Sequence, residues 1–210
     1  MWNFEDRVDA GRQLARELTR RARDDSVVLG LPRGGVPVAA EVARALSAPL
    51  DVLVVRKVGA PGHEEVAMGA VGEDGAVVRN PDVIAAVGAD EETLAAAEEH
   101  ERAVVERRAG MLRAGRPAER LAGRAAIIVD DGIATGATVR TACRVARARG
   151  AARVVVAVPV AAPSALAGLD ECDEVVCLCA PPGFVAVGMH YIDFRQTSED
   201  EVVRLLAGLR

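Results

Sequence analysis

Asp130 and Asp131 stand side by side and are followed by Gly132-Ile133-Ala134-Thr135-Gly136-Ala137-Thr138. Two adjacent carboxylates can accept hydrogen bonds from a pair of vicinal hydroxyls. The small residues behind them predict a turn with inward-pointing backbone N–H groups, feeding a helix. A helix start offers free donors and the positive end of its dipole to a phosphate. Thr135 and Thr138 add hydroxyl donors. Together these residue types describe a site for a ribose 5-phosphate. The run has neither the G-x-x-x-x-G-K-S/T spacing of a P-loop nor the G-x-G-x-x-G dinucleotide fingerprint.

Two further stretches carry residues suited to anions. Leu31-Pro32-Arg33-Gly34-Gly35 ends an apolar run, and its glycines let bare backbone amides approach a ligand that a side chain would block. Arg56-Lys57 ends another. Of the 26 basic residues only Lys57 is lysine. The composition replaces lysine wherever arginine serves equally well, and the two differ where a compact, movable ammonium is needed. Residues 58–66 are rich in Gly and Pro, lack periodicity and read as a mobile loop. That loop carries His63, Glu64 and Glu65.

The elements that must position these residues follow from hydrophobic spacing. Apolar runs at Ser26 to Leu31, Asp51 to Val55, Ala125 to Val129, Arg153 to Val160 and Glu174 to Cys179 predict buried strands. Helical patterns cover Asp6 to Ala22, Val36 to Leu46, Asp90 to Leu112, Ala137 to Arg149, Ser164 to Leu169 and Glu199 to Leu209. Ala67 to Val78 predicts two short strands around the turn Glu73-Asp74-Gly75. In the long helix, Glu98 and Arg102 have the spacing of an i,i+4 ion pair. Strands alternating with helices predict an α/β fold with a mostly parallel central sheet flanked by helices. Ligands in such sheets bind at the carboxyl ends of strands, near the point where strand order reverses. All three candidate stretches follow a strand. The expected organisation is one domain over 1–210, with an added long helix in a helical insertion (79–117) and a small hood segment (180–197).

Composition sets outer limits. Half the residues are hydrophobic, enough for a sizeable core. A net charge of −5 gives no global attraction to nucleic acid. No apolar run approaches the length of a membrane span. Met1 to Ala10 has no basic stretch followed by an apolar one, as a secretory leader would. Cys143, Cys172, Cys177 and Cys179 match no common zinc spacing and read as free thiols in a reducing compartment. A cytoplasmic location is the expectation.

The run Ile127-Ile128-Val129-Asp130-Asp131 through Thr135-Gly136-Ala137-Thr138 closely resembles the motif by which type I phosphoribosyltransferases bind 5-phosphoribosyl-1-pyrophosphate (PRPP). Leu31 to Gly35 resembles that family's pyrophosphate loop, which often carries a non-proline cis peptide; the match places it at the bond entering Arg33. Arg56-Lys57 resembles the family's pyrophosphate-holding basic position, and residues 58–66 its closing lid. Arg56 to Val71, with Phe4…Asp6-Arg7…Ala10-Gly11, looks like a less characterised bacterial subfamily.

The resemblance implies transfer of a 5-phosphoribosyl group from PRPP to a nitrogenous acceptor, with pyrophosphate released. Asp130 and Asp131 would hold the ribose, and Ile133, Ala134, Thr135, Gly136, Ala137 and Thr138 its 5-phosphate. Arg33, Gly34, Gly35, Arg56 and Lys57 would hold the diphosphate. Magnesium would be held by PRPP oxygens and water, with no dedicated protein cage. Hypoxanthine-guanine enzymes carry an aspartate base where this chain has Ala134. Adenine enzymes have alanine there and use a lid glutamate, which makes Glu65 or Glu64 the candidate base, with His63 a second choice. Phe184, Tyr191 and Phe194 cluster after the last strand; they could stack an acceptor ring or form a small core under the C-terminal helix. Asp193 lies one residue out of register with an acidic position of purine enzymes, so that role is not carried over. Members of the family are often homodimers. A non-catalytic PRPP sensor is the competing reading. A dinucleotide oxidoreductase does not fit the spacing of Gly30 to Gly35.

Overall fold

The structure, a computed structural model, describes residues 3–20 and 25–209. In chain order the elements are α1 (Arg7–Leu18), β1 (Ser26–Gly30), α2 (Gly35–Leu46), β2 (Leu50–Val52), β3 (Val55–Ala60), β4 (His63–Gly72) and β5 (Val77–Arg79). Then come α3 (Pro81–Val87), α4 (Glu91–Arg113), β6 (Ala125–Val129), α5 (Ala137–Ala148), β7 (Arg153–Val160), α6 (Pro163–Leu166), β8 (Glu174–Cys179), a 3-10 turn (Val187–His190) and α7 (Glu199–Gly208).

Five strands form a parallel sheet in the order β2-β1-β6-β7-β8. Every residue of β1 and β6 is buried, as a sheet covered on both faces requires. Alternation assigns successive side chains to opposite faces. Val28, Ile127 and Val129 join the core under α1, α2, α4 and α7, while Val27, Leu29, Ala126 and Ile128 join the core under α5. Strand order reverses between β1 and β6. The chain leaves β1 toward β2 on one side and leaves β6 toward β7 on the other. The crevice at their carboxyl ends is therefore the expected ligand position.

A second, antiparallel sheet runs β3-β4-β5. The expected single strand from Asp51 to Val55 is divided. Its first part pairs with β1, and the chain crosses to the second sheet at Val55. The mobile loop expected over 58–66 is instead a β-hairpin closing at Pro61-Gly62, where Gly62 has φ +74°. Val58 and Met68 bury themselves completely from it, and this burial outweighs the Gly and Pro content. Helix α3, not foreseen, starts on Pro81 and stops at Gly88.

Helix α4 is integral to the core, contributing Leu94, Val105, Ala109 and Leu112. The Glu98–Arg102 pair does not form. Glu98 accepts from Arg79 of β5 at 2.7 Å and Arg102 pairs with Glu99, because the second sheet brings a better-placed partner to Glu98. At the end of α4, Arg113 is buried between Asp51 of β2 and Glu73. Its Nε and Nη2 donate to Asp51 at 2.7 and 3.0 Å, and Nη2 also reaches the Val52 carbonyl. The carboxylates accept in addition from the amides of Glu119 and Val54. This cluster joins both sheets and α4. Arg113→Met leaves two buried carboxylates without their cation. Urea unfolding is expected to show a loss of about 3–5 kcal/mol; a loss below about 1 kcal/mol would match an exposed pair instead.

Candidate active site

The loop after β1 and the loop after β6 meet at the strand-order reversal. The Pro32–Arg33 peptide is cis. Gly34 and Gly35 then open α2, which has no side-chain cap. A Cβ on Gly35 would lie 2.5 Å from the Val129 carbonyl oxygen and 2.8 Å from Asp130 Cα. A Cβ on Gly34 would lie 2.1 Å from Asp131 Oδ2. Only glycine permits these loops to touch.

Asp130 Oδ1 accepts the Asp131 amide at 2.9 Å. Asp131 Oδ2 accepts from Arg7 Nε at 2.9 Å and Nη2 at 2.8 Å. Burial, then the neighbouring Asp131 charge, push the Asp130 carboxyl well above the ordinary carboxylate range. Burial also raises Asp131, and Arg7 opposes that rise. Beyond the carboxylates, Ile133 is tied to the end of β7, with its amide donating to Val160 and its carbonyl accepting from Ala162. Gly136 takes φ +77° and caps α5. Among the described residues, the amides of Ala134, Thr135 and Gly136 make no hydrogen bond. Two carboxylates thus stand beside free amides at a helix start, the kinds of group a diol and a phosphate would need.

A phosphoribosyl transferase domain model matches residues 3–191. The chain belongs to this family. A Mycobacterium tuberculosis protein, provisionally named a phosphoribosyl transferase, is 54% identical over 204 residues. That match covers 97% of this chain and 46% of the relative, so the chain spans less than half the length of the curated relatives it matches. The crystal structure of TT1426 from Thermus thermophilus is similar at 46% identity and TM-score 0.90, covering 99% of both chains. A hypoxanthine-guanine phosphoribosyltransferase from Bacillus anthracis, 11% identical, has the same fold at TM-score 0.50 over 87% of this chain and 83% of its own.

The remaining expected residues of this phosphoribosyl transferase domain divide into groups. Arg33 is half-buried in the loop after β1. Lys57 and Arg56 line a cleft of ≈ 780 Å³ with Thr138 and Thr141 of α5, so the hairpin's lysine borders the helix that follows the Asp130-Asp131 turn. Arg56 is held there by Glu101 at 2.6 Å, which raises its pKa. His63 lines a different cavity, with residues 86–90 between α3 and α4. Glu64 and Glu65 lie in β4, and their side chains are outside the described residues.

Tyr191 is a correction. It is buried, packs against Phe4 and Phe194 at 5.4 and 4.9 Å, and donates its hydroxyl to the Asp131 carbonyl at 2.6 Å. Burial raises its phenol far above the ordinary value, so it stays a donor. Its ring belongs to a small core and is not free to stack an acceptor. Phe184 is half-buried, stacked on His190 at 5.8 Å. Arg7 was not singled out from sequence. Its partner is 124 residues away, and only the stretch Asp6-Arg7 hinted at it.

A carboxyl whose proton affinity rises on folding stabilises the fold below its ordinary pKa of about 3.9. That contribution is lost as pH climbs through the higher folded value. Asp130→Asn is therefore expected to stabilise the ligand-free protein at pH 7, by roughly 0.5–2 kcal/mol as other stabilising substitutions do. The gap should close toward pH 4. Equal denaturation midpoints at pH 7 would contradict the burial argument.

Proposed function

We propose that this domain transfers the 5-phosphoribosyl group of PRPP to a nitrogenous acceptor and releases pyrophosphate. The observation that carries this reading is the contact of Gly34-Gly35 with Asp130-Asp131, beside the free amides that precede α5. Displacement at ribose C1 develops oxocarbenium character, and the diphosphate leaves with the bonding electrons. Asp130 and Asp131 hold the ribose hydroxyls and fix the ring for in-line attack. The amides from Ala134 to Thr138 hold the 5-phosphate, while that of Ile133 donates to the Val160 carbonyl and anchors the turn. The Gly34 amide, with Arg33 and Lys57, stabilises charge on the departing diphosphate; the Gly35 amide donates to the Leu31 carbonyl at 3.0 Å, and Gly35 serves the close approach instead.

The family implies magnesium. Among the described residues no group of three or more His, Cys, Asp or Glu side chains could hold a metal ion. Arg7 already neutralises Asp131. This donor set fits a cation carried in on the diphosphate and reached through the ribose hydroxyls that Asp130 and Asp131 hold. When bound, magnesium neutralises diphosphate charge.

The hairpin of β3 and β4 is the proposed lid, which excludes water from a cation that water would destroy. Lys57 on that hairpin reaches the diphosphate when the lid closes. Glu65, or Glu64, takes the acceptor proton, since Ala134 offers no carboxylate. Phe184 is the proposed acceptor platform, within a hood over 180–197. Among the described residues no helix is long and apolar enough to cross a membrane.

Pyrophosphate release from PRPP and magnesium, with a panel of nucleobases and small amines, tests the reading. Acceptor-dependent release should fall at least about 100-fold in Asp130→Asn/Asp131→Asn, the scale of losing several charge-assisted hydrogen bonds. PRPP binding with no release for any acceptor would replace transfer with sensing. Lys57→Ala should lower kcat more than it raises the KM for PRPP, as expected of a group that acts mainly in the transition state. A rise in KM alone would make it a ground-state contact.

A further inference from the structure

We propose that Arg7 is a positioning residue for the ribose of PRPP, acting through Asp131; this rests on the phosphoribosyl reading above. Arg7 stands in the first turn of α1. Its Nε and Nη2 donate to the same carboxylate oxygen, Oδ2, at 2.9 and 2.8 Å. Its Nη1 donates to the Arg195 carbonyl at 2.7 Å. The guanidinium lies over the Phe194 ring, 4.0 Å from its centroid. An arginine engaged through both its fork and its face has few conformations left. Both members of the pair are largely shielded, with side-chain exposures of 11% and 15%.

The choice of oxygen matters. Oδ2 is the one pressed against Gly34, where a Cβ would lie 2.1 Å from it and 3.4 Å from Arg7 Nε. Arg7 therefore occupies the oxygen that faces the pyrophosphate loop and leaves Oδ1 outside the pair. Asp130 in turn uses Oδ1 for the Asp131 amide and keeps Oδ2. One oxygen of each carboxylate remains for one hydroxyl each of a vicinal diol. Without the guanidinium, two neighbouring carboxylates would repel, and Asp131 would be free to turn.

The same arginine ties the site to the segment after β8. Phe4 and Glu5 hydrogen-bond with His190, Ile192 and Asp193, and Tyr191 holds the Asp131 carbonyl. Arg195 and Phe194 complete the clamp. Asp131 is thus held at its carbonyl by Tyr191 and at its carboxylate by Arg7.

Calorimetry with magnesium and three ligands, PRPP, ribose 5-phosphate and inorganic pyrophosphate, tests the assignment. Wild type is compared with Arg7→Met, Arg7→Lys, Asp131→Asn and the double variant Arg7→Met/Asp131→Asn. Arg7→Met should weaken PRPP and ribose 5-phosphate by about tenfold or more, the scale of losing orientation at one charge-assisted contact. Pyrophosphate, which lacks the diol, should change by less than about twofold, and Arg7→Lys should recover part of the loss. In the Asp131→Asn background, Arg7→Met should cost less than about threefold, because its partner is gone. Unchanged PRPP affinity in Arg7→Met, equal weakening of all three ligands, or additive effects in the double variant would overturn the assignment while leaving the phosphoribosyl reading intact. A wild-type protein that binds none of the three would overturn both.

Discussion

A methyl group on Gly35 would stand 2.5 Å from the Val129 carbonyl, and one on Gly34 would stand 2.1 Å from Asp131 Oδ2. Those two approaches depend on β1 and β6 being neighbours, which they are over five consecutive residue pairs from Ser26–Ala125 to Gly30–Val129. The strands are parallel and end together, so the loops that leave them share one space. Everything proposed for the site needs that shared space. The carboxylates sit on one wall, the Gly34 amide at the start of α2 on the other, and the turn from Ile133 to Gly136 opens α5 alongside. A side chain on either glycine would separate the walls.

The site is also asymmetric in charge. Asp131 has a guanidinium and Asp130 has none, although both are pushed toward the protonated form by burial. Holding a desolvated carboxylate is costly, and such a cost is characteristic of groups placed for a ligand. The compensation comes from parts of the chain that carry no motif. Arg7 arrives from α1, Tyr191 from the 3-10 turn's end, and both reach the same aspartate. The stability of the rest of the domain has a comparable hub in Arg113, which joins β2, the turn after β4 and α4.

Much of this was legible before any coordinates. The bounds of β6, β7 and β8 match their apolar runs: β6 and β7, buried on both faces, are written mostly in Val, Ile and Ala, and the partly buried edge strand β8 still carries the apolar run from Val175 to Cys179. The long helix from Asp90 was legible from its helical spacing. The strand-end motif at Asp130 was legible because its residues are contiguous. The hairpin of β3 and β4 was not, since Gly59, Pro61 and Gly62 carry the composition of a loop while Val58 and Met68 supply the burial that makes strands. Long-range polar partners were illegible for a simpler reason. Nothing local marks Arg7 as the partner of Asp131, Arg113 as that of Asp51, or Arg79 as that of Glu98. Tyr191 was ambiguous between a stacking platform and a core residue, and its hydroxyl's contact with the Asp131 carbonyl decides for the core.

A crystal structure with PRPP and magnesium decides whether the two aspartates hold the ribose. The ribose hydroxyls should lie on Asp130 and Asp131, the 5-phosphate on the amides from Ala134 to Thr138, and the diphosphate over Gly34 and Gly35. PRPP bound elsewhere, or bound with its ribose turned away from the two aspartates, would contradict this placement.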